Sequence, residues 1–158
     1  MKITQDNSGS EALERLADQM NRAKLEVGFF DTAKYPDGTP VAYVAAIQEF
    51  GHPEGNIPSR PFFRNAIKAN EQKWGETAGR LIASAVEGKI PKGQALDRLG
   101  ALMAGDVQES ILDGDFEPLK QATLDARQSK KRTQGVASKP LIDTGHMMRS
   151  VDYVVEKK

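Results

Sequence analysis

Hydrophobic positions recur along this chain with two different periods, and each change of period marks a predicted change of backbone state. Leu13, Leu16 and Met20 return at helical spacing, and Ser8 and Glu11 precede them as a helix start. The serine hydroxyl can accept from free first-turn amides while a glutamate three residues on reaches back. A helix is therefore expected within residues 1–24. Leu25, Val27 and Phe29 then alternate with Glu26 and Gly28, the period of a half-buried strand. The turn formers of residues 35–40 (YPDGTP) close that strand.

Residues 41–50 (VAYVAAIQEF) are alanine-rich and unbroken by glycine or proline, which favours a short, mostly buried helix. Gly51 is placed to end it in a left-handed cap. The next stretch, HPEGNIPSR, holds two prolines and a glycine and is expected to be irregular, and Pro61 suits the first position of a new helix. From there Phe62, Ala66, Ile67, Trp74, Ala78, Leu81, Ile82 and Ala85 return to one face. At about 3.6 residues per turn they predict a helix of roughly seven turns.

Residues 89–93 (KIPKG) interrupt it, and a second amphipathic helix carries Leu96, Leu99, Met103, Val107 and Ile111. Gly100 and Gly105 within it signal either close packing or mild weakening. After residue 113 the chain becomes turn-rich; residues 119–130 (LKQATLDARQSK) can form a modest helix. Residues 128–138 are polar, basic and poor in large apolar groups, a flexible arm or loop by composition. Near the end, Val151, Tyr153 and Val155 alternate again, a strand available to pair with residues 25–29. The pattern as a whole predicts an α+β fold, two long amphipathic helices packed on a small antiparallel sheet with long loops, in one domain spanning residues 1–158.

Composition narrows the function more than it narrows the fold. Twenty-two Lys and Arg offset twenty-two Asp and Glu, so no net field draws the chain to nucleic acid or to an anionic membrane. With no cysteine there is no disulfide framework, no thiolate metal site and no thiol nucleophile. No stretch has the length of a membrane span or of a signal-peptide core, and the expectation is a soluble chain made in the cytosol, with no membrane partner.

Candidate chemistry is sparse. The two histidines, His52 near Glu49 and Glu54, and His146 near Asp143, lack the His-x-x-x-His spacing of a zinc protease and make poor metal sites. No G-x-S-x-G elbow, no G-x-x-x-x-G-K-[ST] loop and no G-x-G-x-x-G turn is present, so no enzymatic role, no cofactor and no resident metal is expected. Lys130, Lys131 and Arg132, flanked by Arg127 and Lys139, form the one basic concentration, without aromatic residues on which bases could stack. It reads as a solvated loop that orders against an acidic neighbour. Phe62, Phe63 and Trp74 read as core, with one of the Phe pair free to face a partner.

Two passages are more specific than their composition. Residues 45–51 (AAIQEFG) followed by 56–64 (NIPSRPFFR), and later residues 139–145 (KPLIDTG) followed by Arg149 and Ser150, stand in a fixed order. They resemble the "E-F-G … I-P-x-R-P-F" and "P-L-[IV]-D-T-G … S" signatures of tailed-bacteriophage neck and tail-completion proteins, minor tail components that join head to tail. The resemblance spans roughly residues 25–156, though only those two passages match in letters; His52 to Glu54 and His146 to Met148 depart from the pattern.

Independently of the family, Pro58 and Pro61 stiffen the backbone around Arg60, whose planar guanidinium then suits a bidentate carboxylate partner. Asp143, Thr144 and Gly145 form a compact turn whose aspartate either caps a short helix over residues 146–149 or accepts from Arg60. An Arg60–Asp143 pair, within one chain or across a subunit boundary, is the specific expectation. What the resemblance implies is a structural virion protein, a ring-forming subunit with six-fold symmetry that contacts copies of itself. Its neighbours would be a portal-side connector or stopper protein and a tail terminator or tail tube protein, with DNA passing through its channel unbound. Interaction or bracing roles would fall on Glu49, Phe50, Gly51, Pro58, Arg60, Pro61, Phe62, Asp143, Thr144, Gly145 and Arg149. The competing readings are another virion morphogenesis role, such as a tail terminator, and a small cytosolic nucleic-acid-binding regulator.

Overall fold

The computed structural model describes residues 23–129 and 138–157. Most of the expected N-terminal helix and of the basic arm lies outside the described residues, but Ala23 and Lys24, expected at the helix end, belong to a strand instead. Seven elements follow in order: β1 (Ala23–Gly28), α1 (Val41–Phe50), α2 (Phe62–Val86), α3 (Lys92–Asp113), α4 (Gln121–Ser129), α5 (His146–Arg149) and β2 (Asp152–Lys157). The architecture is α+β: helices pack on a two-stranded antiparallel sheet made from the two sequence-distant strands.

Helix α3 is central, touching α2 along one flank and both strands and α5 along another. The turn between α2 and α3 satisfies the last carbonyls of α2, with Lys89 N–H donating to Ser84 O and Gly88 N–H to Ala85 O, before Pro91 opens α3. Asp106 of α3 fixes the pairing of the two helices. Its buried carboxylate accepts from the Trp74 indole N–H at 2.6 Å and from Lys73 Nζ at 2.7 Å. The indole thus brings a large apolar body inside while its polar atom finds a partner.

Strand register puts Val27 opposite Tyr153 and Leu25 opposite Val155, so these four share the face turned to α3, while Lys24, Glu26, Val154 and Glu156 share the other. The sheet sits close to the helix at Gly100. A Cβ there would overlap the Tyr153 ring and stand 2.9 Å from Leu25 Cδ1. Of the two sequence readings for that glycine, close packing is the one realised, against the sheet. Gly105, one and a half turns on, has nothing within 4 Å of its missing Cβ and is the mild weakening.

The core joins every layer. Val41 and Ala45 from α1, Phe62 and Ala66 from α2, Val107 and Ile111 from α3, and Leu141, Ile142, Met147 and Val151 from the C-terminal segment form one buried cluster. Phe62, at 1% exposure, meets Phe29 edge-to-face at 6.1 Å between centroids. The two loops flanking α1 are ordered by short antiparallel bridges, Lys34 with Pro40 and His52 with Ile57.

Opposite effects are expected at the two α3 glycines. Gly105→Ala should raise unfolding free energy by about 0.5–1 kcal/mol through helix propensity alone. Gly100→Val should lower it by about 1–3 kcal/mol by forcing the sheet off the helix. Urea denaturation of the two variants beside the parent measures both.

Candidate functional site

The first motif is a joint between α1 and α2. Helix α2 begins after Pro61 and receives no capping bond from its own cap side chain, leaving first-turn amides to be satisfied elsewhere. Glu49, 6% exposed at the end of α1, supplies the acceptor. Its Oε2 accepts from Phe63 N–H at 2.9 Å, and its Oε1 accepts from Arg64 N–H at 3.2 Å and from Arg64 Nε at 2.8 Å. A carboxylate from one helix thus caps the positive end of the next, with Arg64 as counter-ion.

The end of α1 is satisfied in return. Gly51 N–H donates to Ile47 O, Arg60 N–H to Gln48 O at 2.7 Å, and both Ser59 Oγ (2.8 Å) and Arg64 Nη2 (3.0 Å) donate to Glu49 O. Gly51 does not adopt the left-handed helical cap expected of it; its φ of 78° is paired with an extended ψ of 172°. A Cβ there would stand 2.9 Å from Ser59 N and 3.0 Å from Ile57 O, which is backbone that cannot rotate away. Arg64 also covers the exposed Phe50 ring, 5.3 Å from its centroid.

Arg60 is 5% exposed and turns toward a groove rather than toward Asp143. Its Nη1 donates to Gln48 Oε1 at 2.8 Å and its Nε to Glu117 O at 3.3 Å. Burial pushes the guanidinium down from its ordinary value; the Glu117 carboxylate opposes that shift and the Arg127 charge adds to it.

The expected Arg60–Asp143 pair is not formed within the chain, because Arg127 of α4 occupies the position beside Asp143, Nε to Oδ1 at 3.7 Å. Arg127 also gathers the backbone of the second motif. Its Nη1 donates to Lys139 O (2.8 Å) and Ile142 O (2.9 Å), and its Nη2 to Pro140 O (3.2 Å). A rigid fork of five donors suits such convergent carbonyls. Sequence reading took Arg127 only as a flank of the basic run. The one signal available was its place three residues after Leu124, on the only half-buried face of α4.

The Asp143–Thr144–Gly145 turn forms, but Asp143 does not cap α5. Thr144 Oγ1 accepts the His146 N–H at 3.3 Å, Gly145 adopts φ 72°, and Arg149 Nη2 donates to Thr144 O at 2.9 Å. His146 docks the turn on the loop before α1, with Nε2 2.9 Å from Lys34 O and its ring 4.9 Å from Tyr35. Burial, aided by the Asp143 and Asp37 carboxylates, holds the Tyr35 phenol above its ordinary value and keeps it protonated. His52 lies exposed in the other loop. Among the described residues no group of three or more His, Asp or Glu is placed to hold a metal ion, and no helix is long and apolar enough to cross a membrane.

Of the surface depressions that the described residues form beside these motifs, three bear on the site. A cleft of about 730 Å³ is lined by Tyr35, Val44, Asp143, Thr144, His146 and Arg149. A groove of about 250 Å³ is lined by Pro58, Arg60, Glu117, Lys120 and Thr123; Gln48, Arg127 and Pro140 line both. The third, about 290 Å³ and apolar, lies between α1 and the start of α2, with Phe29, Ala46, Phe50 and Phe63 on its walls. Of the Phe pair, Phe62 is core and Phe63 is the half-buried member on that wall. Tyr43 and Phe50, 62% and 70% exposed, share the outer face of α1 with Ala46. The arrangement presents surface depressions braced from beneath.

Glu49→Ala should cost about 2–4 kcal/mol in chemical denaturation, because it strips two helix amides and Arg64 of their common acceptor. Glu49→Gln, which keeps one carbonyl oxygen, should cost about half as much. Arg127→Met should accelerate amide exchange in residues 139–143 while leaving α2 and α3 protected, as read by exchange mass spectrometry.

Comparison with known proteins adds no kinship: no family model, no curated protein and no solved structure matches this chain.

Proposed function

We propose that this chain is a non-enzymatic assembly protein, a ring-forming neck or tail-completion subunit of a tailed bacteriophage that joins tail to head connector. The observation that carries the reading is the order of the two passages, E-F-G … I-P-S-R-P-F and then P-L-I-D-T-G. Ile57, Pro58 and Arg60 of the first passage and Pro140, Leu141, Asp143, Thr144 and Gly145 of the second line two adjoining depressions that share Gln48, Arg127 and Pro140, while Glu49, Phe50 and Phe62 line the third. Support also comes from how the polar residues are used. Glu49, Arg127, Thr144 and Arg149 all bond to backbone, as bracing elements do.

In a closed ring one face of a subunit meets a different face of the next. The apolar outer face of α1, with Tyr43 and Phe50, and the polar depressions at the motif loops are two such unlike faces. Zero net charge suits a channel through which a polyanion slides without being held. The ring would contact a portal-side connector or stopper on one side and a tail terminator or tube protein on the other, in the virion neck.

The test is the assembly itself. Mixed with its portal-side partner, the 17.3 kDa chain should form a species several times that mass, with rings in negative-stain micrographs. A persistent monomer that instead binds DNA with a steep salt dependence would contradict the reading.

A further inference from the structure

Among the described residues, Arg60 is the least compensated of the buried charges Glu49, Arg60 and Asp106. It is 5% exposed, yet among the described residues no carboxylate oxygen lies within 4.0 Å of it, and its two hydrogen bonds go to an amide oxygen and a main-chain carbonyl. Those bonds use Nε and Nη1, and Nη2 makes none among the described residues. A buried guanidinium normally has its charge matched by a hydrogen-bonded carboxylate, since desolvation alone costs several kcal/mol. Here the match is missing, and the groove of about 250 Å³ begins where it would sit.

The surroundings of that groove are positive. Arg127 lies on its wall, and Lys120, exposed at the rim, bonds only to Asn56 O at 3.3 Å among the described residues. Helix α4 starts at Gln121 with Thr123 lining the groove and no acidic residue in its first turn, so the positive end of its dipole adds to the field. Glu117 is the one acidic residue on the wall, and it is exposed.

We infer that the Arg60 groove is a receptor for a carboxylate side chain, Asp or Glu, contributed by a neighbouring protein subunit. A guanidinium bonds strongly to a carboxylate through charge-assisted hydrogen bonds, and Nη2, which makes none among the described residues, has two N–H donors for it. A side chain on a flexible stem reaches a recessed guanidinium in a narrow groove. A nucleic-acid phosphate, fixed on a broad backbone, does not. The inference rests on the reading of the chain as an assembly subunit, since it supplies the neighbour, but the site can be probed without assembly.

The probe is glutarate, titrated into the full chain at constant ionic strength made up with chloride, and followed by the Arg60 and Arg127 Nε–Hε and the Gln121 and Ala122 amide signals in NMR. Saturable shifts confined to this groove are expected. Arg60→Lys, which keeps the charge and should keep the fold, should weaken glutarate by about tenfold or more, while Lys68→Ala on the outer face of α2 should leave it unchanged. Shifts no larger than with chloride overturn the site, and inorganic phosphate binding more tightly than glutarate overturns the carboxylate assignment. In the assembled species, carbodiimide should couple Lys120 to an acidic residue of another chain. Assembly with no glutarate binding refutes the receptor and leaves the assembly reading standing; glutarate binding by a chain that never assembles refutes the neighbouring subunit as its source.

Discussion

The amides at the start of α2 need an acceptor that their own sequence does not provide, and the Glu49 carboxylate meets that need from the end of the preceding helix. Much of the rest follows from this contact. It fixes the angle between α1 and α2, which places Phe62 in the core beside Val41 and Ala45. It holds residues 51–61 in a closed loop stitched to the last carbonyls of α1, and that loop presents Arg60. Arg64, paired with the same carboxylate, is held over Phe50 and covers one face of that exposed ring.

A second arginine performs the matching task for the C-terminal segment. Residues 138–145 have no helix or strand to satisfy their carbonyls, and Arg127 collects three of them. Leu141 and Ile142 can then enter the core while Asp143 and Thr144 stay at the cleft. Both motifs therefore combine a buried apolar anchor with charged side chains bonded to main chain, Glu49 in the first and Arg127 in the second, a construction that holds the surface stiff.

Periodicity made most of the fold legible. The long helices and the pairing of two strands more than a hundred residues apart follow from spacing of apolar residues, because each buries one face; α1 was legible from its alanine content, but it is not mostly buried, since only Val41, Ala45 and Glu49 turn inward while Tyr43 and Phe50 face out. What spacing could not reveal was the partner of each buried charge. Arg60 and Asp143 are complementary in type, yet a third residue, Arg127, stands beside the aspartate, and its spacing from Leu124 is the one local mark of its half-buried place. Glu49 stood out as a motif letter without its task, since a cap supplied by another helix leaves no signature near the helix it caps. The ambiguity at Gly100 was likewise tertiary: only the position of Tyr153 and Leu25 decides it.

If these braced surfaces exist to meet other subunits, they are the places that must lose solvent on assembly. Amide exchange of the free chain against the chain in the complex proposed for it reads this directly. Added protection is predicted in residues 41–50, 117–127 and 139–149, with none on the outer face of the sheet around Val154. Unchanged exchange across the motif loops in the assembled complex would contradict the account.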